Sequence, residues 1–402
     1  MSSVTGSFDV DQFIEDQTEK IRRTLGNDRA IIAVSGGVDS TTCAALTRRA
    51  VGENLVCIFI DTGFMRRGEP ERVKRNLGKP PLRLPLKIVR ARNRFLRYLQ
   101  SETEAEKKRK KFREAFYLTL AEAAKRYGCE WLVQGTIAPD LIETEGGIKT
   151  QHNVLEQIGI DPRQKYGFRV LEPLASLYKP QVRMLSRRIG FGEEASERQP
   201  FPGPGLSVRC VGAVSDAKLS QLKTATKIVE ENLKNSGAQQ YFAAIVEDER
   251  HEGAETAEMT RLLSGLLGVH DHQVSMHVLG NLATGVVAGR RAYGMMAAAT
   301  LSPNLQERAD AIMERLLDSC KDFISAKPEY TRLLLKVRSL QPKRYAVIMR
   351  AVNTEDFITA SAVRMRWKDL SRLSLRILRG CRQVSSVYYD LTPKPPGTIE
   401  FE

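Results

Sequence analysis

The sequence predicts an α/β domain, a parallel sheet with helices on both faces, followed by a smaller α+β domain. Three observations carry that expectation. Through the first half of the chain, short apolar runs alternate with helix-like periodicities, a pattern that calls for a parallel sheet covered on both sides. At 198–209 the stretch RQPFPGPGLSVR crowds three prolines and two glycines together, a natural junction or pocket wall. Beyond it, long helical stretches mix with strand-like runs. With 402 residues the chain is long enough for two domains, placed at 1–207 and 208–402.

The elements follow in order. Val10, Phe13, Ile14, Ile21 and Leu25 recur at helical spacing over 8–25, and Gly26 closes that helix. AIIAV (30–34) suits a buried strand; a Gly-rich loop follows, then a helix over 41–51. LVCIFID (55–61) and LKIV (86–89) read as further strands. From Glu106 to Tyr127, the residues Phe112, Phe116, Leu120, Ala123 and Tyr127 line one helix face. WLVQGT (131–136) is a strand running into a Gly turn. In the second domain, helices are expected over 216–235 and 304–320, and strands at 241–246, 345–352 and 386–392. Ser35, Asp61 and Gln134 all fall at carboxyl ends of strands, where parallel sheets bind ligands.

Net charge is +14, which favours anionic partners without choosing among them. The run KKRKK (107–111) reads as a solvated helix face, not a specific nucleic-acid site. Six scattered cysteines with no CxxC pair indicate reduced thiols in a cytoplasmic protein. No apolar run approaches a membrane span, and the first thirty residues lack the apolar block of a secretory signal. His251, His270, His272 and His277 gather around HDHQVSMH without a cysteine, so a polar loop is expected there in preference to zinc.

The chemistry centres on IIAVSGGVDSTT (31–42). A strand, a tight Gly turn and a helix start form an anion site from backbone N–H groups and the positive helix end. Ser35, Ser40 and Thr41 add hydroxyl donors, Gly36, Gly37 and Val38 form the turn, and Asp39 is suited to Mg2+ among phosphate oxygens. The loop has no lysine of the kind that stabilises a γ-phosphoryl group in flight. A cradle for departing pyrophosphate fits better, with an oxygen nucleophile attacking the α-phosphate of ATP.

VSGGVDS resembles the loop of the PP-loop ATP pyrophosphatases, the adenine-nucleotide alpha hydrolase-like fold. FIDTGFMRRGE (59–69), VQGTIAPDLIET (133–144), IKTQHNV (148–154), LEPLASLYKPQVR (171–183), RQPFPGPGLSVR and KPPGTIEFE (394–402) resemble one branch of it, the GMP synthetase family. The resemblance runs from about residue 8 to 246 and resumes at about 345. It implies synthesis of GMP from xanthosine 5′-monophosphate (XMP), ATP and ammonia through an O2-adenylyl intermediate. It also implies that Ser35, Gly36, Gly37, Asp39, Ser40 and Thr41 hold the ATP phosphates and Mg2+. Gln134, Gly135 and Thr136 would line the nucleotide pocket, with Asp61 at its edge. Lys149 and His152 would sit in a lid over the reacting phosphates. Lys394, Thr398, Ile399 and Glu400 would bind XMP, with Pro202 and Gly203 near its base.

Two departures from the family pattern matter. The loop begins about thirty residues in, without the preceding amidotransferase domain of bacterial members. The chain therefore resembles the synthetase component of the two-subunit archaeal enzymes, with a separate glutaminase as partner and a homodimer formed through the second domain. GVVAGRRAYG (285–294) keeps Arg291 and Tyr293 of the family's G-D-x-R-x-Y but has Ala288 and Gly289 in place of Gly-Asp. Stretches near 247–280 and 300–344 match nothing in the family and are expected to be inserts or a strongly diverged dimerisation domain. An RNA-modifying PP-loop enzyme and a catalytically silent nucleotide-binding regulator are the alternatives.

Overall fold

The computed structural model describes residues 8–145, 159–191, 201–287, 289–354 and 358–402. The chain divides into two compact units, one of Met1–Phe95 with Lys111–Gly203, the other of Leu96–Lys110 with Pro204–Glu402.

The first unit holds α1 (Val10–Leu25), β1 (Ala30–Ala33), α2 (Val38–Val51), β2 (Leu55–Asp61), α3 (Glu69–Leu77), β3 (Lys87–Arg90), most of α4 (Ala105–Tyr127), β4 (Trp131–Val133), β5 (Arg169–Leu171) and α5 (Lys179–Ile189). α1 starts where the Asp9 carboxylate accepts the Asp11 and Gln12 N–H groups, and buries Ile14, Ile21 and Leu25. α4 buries Phe112, Ala115, Tyr117, Leu120 and Ala123, leaving Phe116 and Tyr127 half-buried. The five strands are all parallel, in the order β3-β2-β1-β4-β5, with Ala30 beside both Leu55 and Trp131. The chain winds outward from β1 to β3, then returns to place β4 on the other side of β1. The gap between β1 and β4 is therefore the topological switch point, where a crevice opens beyond the strand ends.

The second unit contains α6 (Asp216–Leu233), β6 (Gln240–Glu247), β7 (Arg250–His251), α7 (Ala254–Leu267), β8 (Val274–Val287), β9 (Arg290–Leu301), α8 (Ala309–Ala326), β10 (Tyr330–Ser339), β11 (Tyr345–Asn353), β12 (Ser361–Ala362), α9 (Trp367–Gly380) and β13 (Val384–Asp390). Its mixed sheet runs β12-β11-β13-β10-β9-β8-β7, with β6 also paired to β11. Two β–helix–β units make the middle: β9–α8–β10 and β11–α9–β13 each have parallel strands, and β10 meets β13 antiparallel. Phe242, Ala244, Ala346, Ile348 and Tyr388 cluster with Phe401 of the final segment.

Two sequence expectations change here. KKRKK is not a solvated face throughout, because Lys108 and Arg109 are buried. Each is buried because its charge is met: Lys108 by Glu402 and two backbone carbonyls, Arg109 by Glu106 and the Tyr293 hydroxyl. The histidine-bearing stretch is not a polar loop. It folds into α7, a short turn and β8; His270 and His272 stack at the turn, and His277 is buried on β8. The apolar alternation of Val274, Met276 and Val278 makes it a strand. Among the described residues, no group of three or more His, Cys, Asp or Glu is placed to hold a metal.

His277 Nε2 lies 2.9 Å from the Tyr388 hydroxyl. Burial pushes its imidazole down to about 4, helped by Lys336 and Arg250 and opposed by Asp248. The folded state thus refuses a proton that the unfolded chain accepts below about pH 6.5. Stability on this account is full above about pH 6.5 and falls by about 3 kcal/mol as pH drops to about 4. Denaturant unfolding of wild type and His277→Gln at about pH 7 and about pH 4.5 checks it: the variant should lose markedly less on acidification. Equal losses would contradict it.

Candidate active site

The loop after β1 lies at the switch point. Gly36 has φ +82°, and a Cβ there would come within 2.8 Å of Val73 Cγ2, so only glycine makes this turn beside α3. Gly37 is the N-cap of α2, leaving the first N–H groups of that helix facing the crevice. Ser40 Oγ accepts the Ser35 N–H at 3.1 Å and lies 3.0 Å from Ser35 Oγ, which itself accepts from Gly37 N–H. The two hydroxyls are pinned at the helix start. Ser35 and Gly37 are exposed, Asp39 and Ser40 partly so, while Val38 and Thr41 are buried beneath the loop.

The neighbouring strand ends close the site. Gln134 follows β4, its carbonyl accepting from Cys43 Sγ–H and its side chain meeting the Tyr117 hydroxyl at 3.2 Å. At Gly135 a Cβ would sit 3.0 Å from Ser40 N and 3.1 Å from the Asp39 carbonyl carbon, backbone that cannot yield. The β4 turn therefore approaches α2 only because residue 135 has no side chain. Thr136 donates to Glu172 Oε1 at 2.6 Å, and Asp61, ending β2, accepts the Gly63 N–H at 3.0 Å. Lys149 and His152 lie outside the described residues.

Sequence reasoning missed one residue of this site. Lys179, first residue of α5, donates to Asp39 Oδ2 at 2.5 Å. The loop without a lysine receives one from 140 positions away. The signal was available, since Lys179 stands in LEPLASLYKPQVR at a helix start marked by Pro180. The other carboxylate oxygen of Asp39, Oδ1, is buried with no hydrogen-bond partner. A buried, unsatisfied carboxylate oxygen beside the N–H groups that open α2 fits a divalent cation. The cysteines near the loop do not suit sulfur transfer: all six are buried, and burial raises the Cys43 thiol and takes Cys57 to about 12.

The second unit orders 394–402 around buried arginines. Arg332 of β10 and Arg350 of β11 are fully buried and share Asp390 Oδ2, at 3.1 and 2.6 Å. Both also donate to the Thr398 carbonyl at 2.8 Å, and Arg332 reaches the Thr398 hydroxyl at 2.9 Å. The Glu400 carboxylate takes a bidentate pair from Arg209, whose guanidinium lies 3.9 Å from the centre of the Phe242 ring. Thr398 and Glu400 are thus brought together, with Ile399 half-exposed between them. Lys394 forms an antiparallel bridge to Ala360. Arg291, exposed, pairs separately with Glu106 at 3.4 Å. Pro202 and Gly203 end the first unit, the glycine exposed. Arginines 332 and 350 were legible as lone charges inside apolar strand runs, since a buried charge needs partners.

Comparison with known proteins completes the picture. Residues 339–401 match the family model of the GMP synthase C terminal domain. Three archaeal relatives carry one and the same name, that of a subunit of glutamine-hydrolyzing GMP synthase. The protein of Sulfurisphaera tokodaii is 40% identical over 397 residues, covering 98% of this chain and 100% of the relative. That of Saccharolobus solfataricus is 41% identical over 398 residues with the same coverage. That of Archaeoglobus fulgidus is 35% identical over 395 residues, again 98% and 100%. The similarity spans both units end to end, and the chain belongs to this family of GMP synthase subunits.

Proposed function

We propose that the chain is a ligase that makes GMP from XMP, ATP and ammonia, releasing AMP and pyrophosphate. The observation that carries this reading is the end-to-end similarity to the GMP synthase relatives, which joins the phosphate loop and the 339–401 domain in one chain. The O2 oxygen of XMP attacks the α-phosphorus of ATP, the bond from that phosphorus to the bridging oxygen breaks, and pyrophosphate leaves. Adenylylation at O2 releases one ring N–H proton of XMP; ammonia then attacks C2, the C2–O2 bond breaks, AMP departs with that oxygen, and the incoming nitrogen loses one proton to solvent.

The chain's own groups divide the work. Ser35, Ser40 and the N–H groups opening α2 hold the departing pyrophosphate, with Gly36 and Gly135 keeping the backbone close. Lys179 adds a cation at the same place. Asp39 would hold Mg2+ through Oδ1; bound there, the ion neutralises phosphate charge as pyrophosphate forms. Gln134, Thr136 and Asp61 border the nucleotide pocket, and Lys149 and His152 are assigned to the reacting phosphates on the family resemblance. Lys394, Thr398, Ile399 and Glu400, with Arg291, Pro202 and Gly203, are assigned to XMP on the same ground.

A separate glutaminase supplies ammonia, which accords with the relatives being named as one subunit of a glutamine-hydrolyzing enzyme. The second unit is proposed as the homodimer contact and the enzyme as cytoplasmic; no helix among the described residues is long and apolar enough to cross a membrane.

The test is purified protein with ATP, Mg2+ and XMP, following GMP and AMP. Ammonium should give equal amounts of both, and glutamine neither until a glutaminase is added. AMP formation indifferent to XMP would overturn the proposal, and stimulation by tRNA would favour RNA modification instead.

A further inference from the structure

We infer that Arg332 is a positioning residue for XMP, acting through the segment 394–402. This rests on the reading of that segment as part of the XMP site. Arg332 stands on β10, ahead of the 339–401 stretch that matches the C-terminal domain model, so that stretch does not itself supply the group.

The geometry is that of a fork closed on the segment. Nη1 donates to the Thr398 carbonyl at 2.8 Å and to Asp390 Oδ2 at 3.1 Å. Nη2 donates to the Thr398 hydroxyl at 2.9 Å, the Glu400 carbonyl at 2.8 Å and the Thr284 carbonyl at 3.0 Å. The guanidinium carbon lies 4.6 Å from the centre of the Phe401 ring. One side chain thereby ties β8, β13 and three parts of the segment. Gly397 gives it room, since a Cβ there would come within 2.9 Å of Arg332 Nη1.

Burying a guanidinium is expensive, and an apolar side chain of similar volume would serve packing as well or better. The expense is understandable where a polar, partly open segment must be held in one conformation. The fork grips residues 398 and 400, and Ile399 between them, half-exposed, packs against the apolar cluster that holds Phe242 and Phe401. Asp390 and the carbonyls satisfy the terminal nitrogens, while Nε has no hydrogen-bond partner. A lysine ammonium is a point donor and cannot span three carbonyls, a hydroxyl and a carboxylate at once.

The experiment compares wild type, Arg332→Lys, Thr398→Val and the double variant in steady-state kinetics, varying XMP and ATP separately, with melting temperature recorded. Arg332→Lys should raise KM for XMP at least tenfold and leave KM for ATP within twofold. Thr398→Val removes the hydroxyl that Arg332 grips while keeping the arginine, and should raise KM for XMP in the same direction. The double variant should show less than the product of the single effects. A purely structural arginine would lower the melting temperature or the active fraction with both KM values unchanged, and that result overturns the inference. If Arg332→Lys does not fold, an unchanged XMP KM in Thr398→Val overturns it. A wild type inert towards XMP sinks the proposed function and this inference together; an active wild type with unchanged variants sinks this inference alone.

Discussion

Asp39→Asn is expected to lower XMP-dependent AMP formation at least about a hundredfold, the scale seen when one preorganised electrostatic group is removed from a reacting centre. Both carboxylate oxygens contribute. Oδ2 holds the Lys179 ammonium, and Oδ1 is the buried oxygen suited to a divalent cation. Asparagine keeps the shape but loses the charge, so Lys179 loses its ion-pair partner and the cation its ligand. The fold should survive: Lys179 and Asp39 side chains are 41% and 30% exposed, and pairs so open to solvent stabilise by about 1 kcal/mol at most. Melting temperature and AMP release measured on the same preparation separate the two effects. Near-normal turnover in a folded variant would remove Asp39 from the phosphate site.

Lys108→Met is expected to have the largest effect on stability. Its side chain is 1% exposed, and the ammonium donates to the Cys210 carbonyl at 2.7 Å, the Gly212 carbonyl at 3.0 Å and the Glu402 carboxylate. Glu402 is also buried and takes the Gly212 N–H at 2.8 Å; burial raises its carboxyl, against the pull of Lys108. Removing the lysine strands a buried carboxylate, a loss of about 3–5 kcal/mol. For a unit of this size that is a fall of about 10 °C in melting temperature. Glu402→Gln alongside Lys108→Met should recover much of the loss, because the stranded charge is then gone. A loss under about 1 kcal/mol in Lys108→Met would mean the pair is not buried as described.

The first unit was largely legible because its signals are local. An apolar run ending in Ser-Gly-Gly, another ending in Asp61 and a third ending in Gln134 each announce a strand end within a few residues. The parallel-sheet rule then brings all three to one crevice, and the strand order β2-β1-β4 does so. Lys179 escaped because nothing in a linear window joins positions 39 and 179. The second unit was harder for the same reason. Lys108 and Arg109 sit in a basic run that reads as solvated, and only Glu402 and Glu106 explain their burial. His277 was grouped with three neighbouring histidines by proximity in sequence, yet its partner Tyr388 lies 111 residues on. The stretch near 300–344, expected as an insert or a strongly diverged dimerisation domain, carries α8 and β10, and β10 pairs with both β9 and β13.

The central claim, adenylylation of XMP at O2 followed by displacement with ammonia, is tested most directly by following that oxygen. XMP labelled with 18O at the 2-oxo position is incubated with the protein, ATP, Mg2+ and ammonium, and the products are analysed by mass spectrometry. The account predicts one 18O in the phosphate of each AMP formed and none in pyrophosphate. Label in pyrophosphate or orthophosphate, or AMP released unlabelled while GMP accumulates, would contradict it.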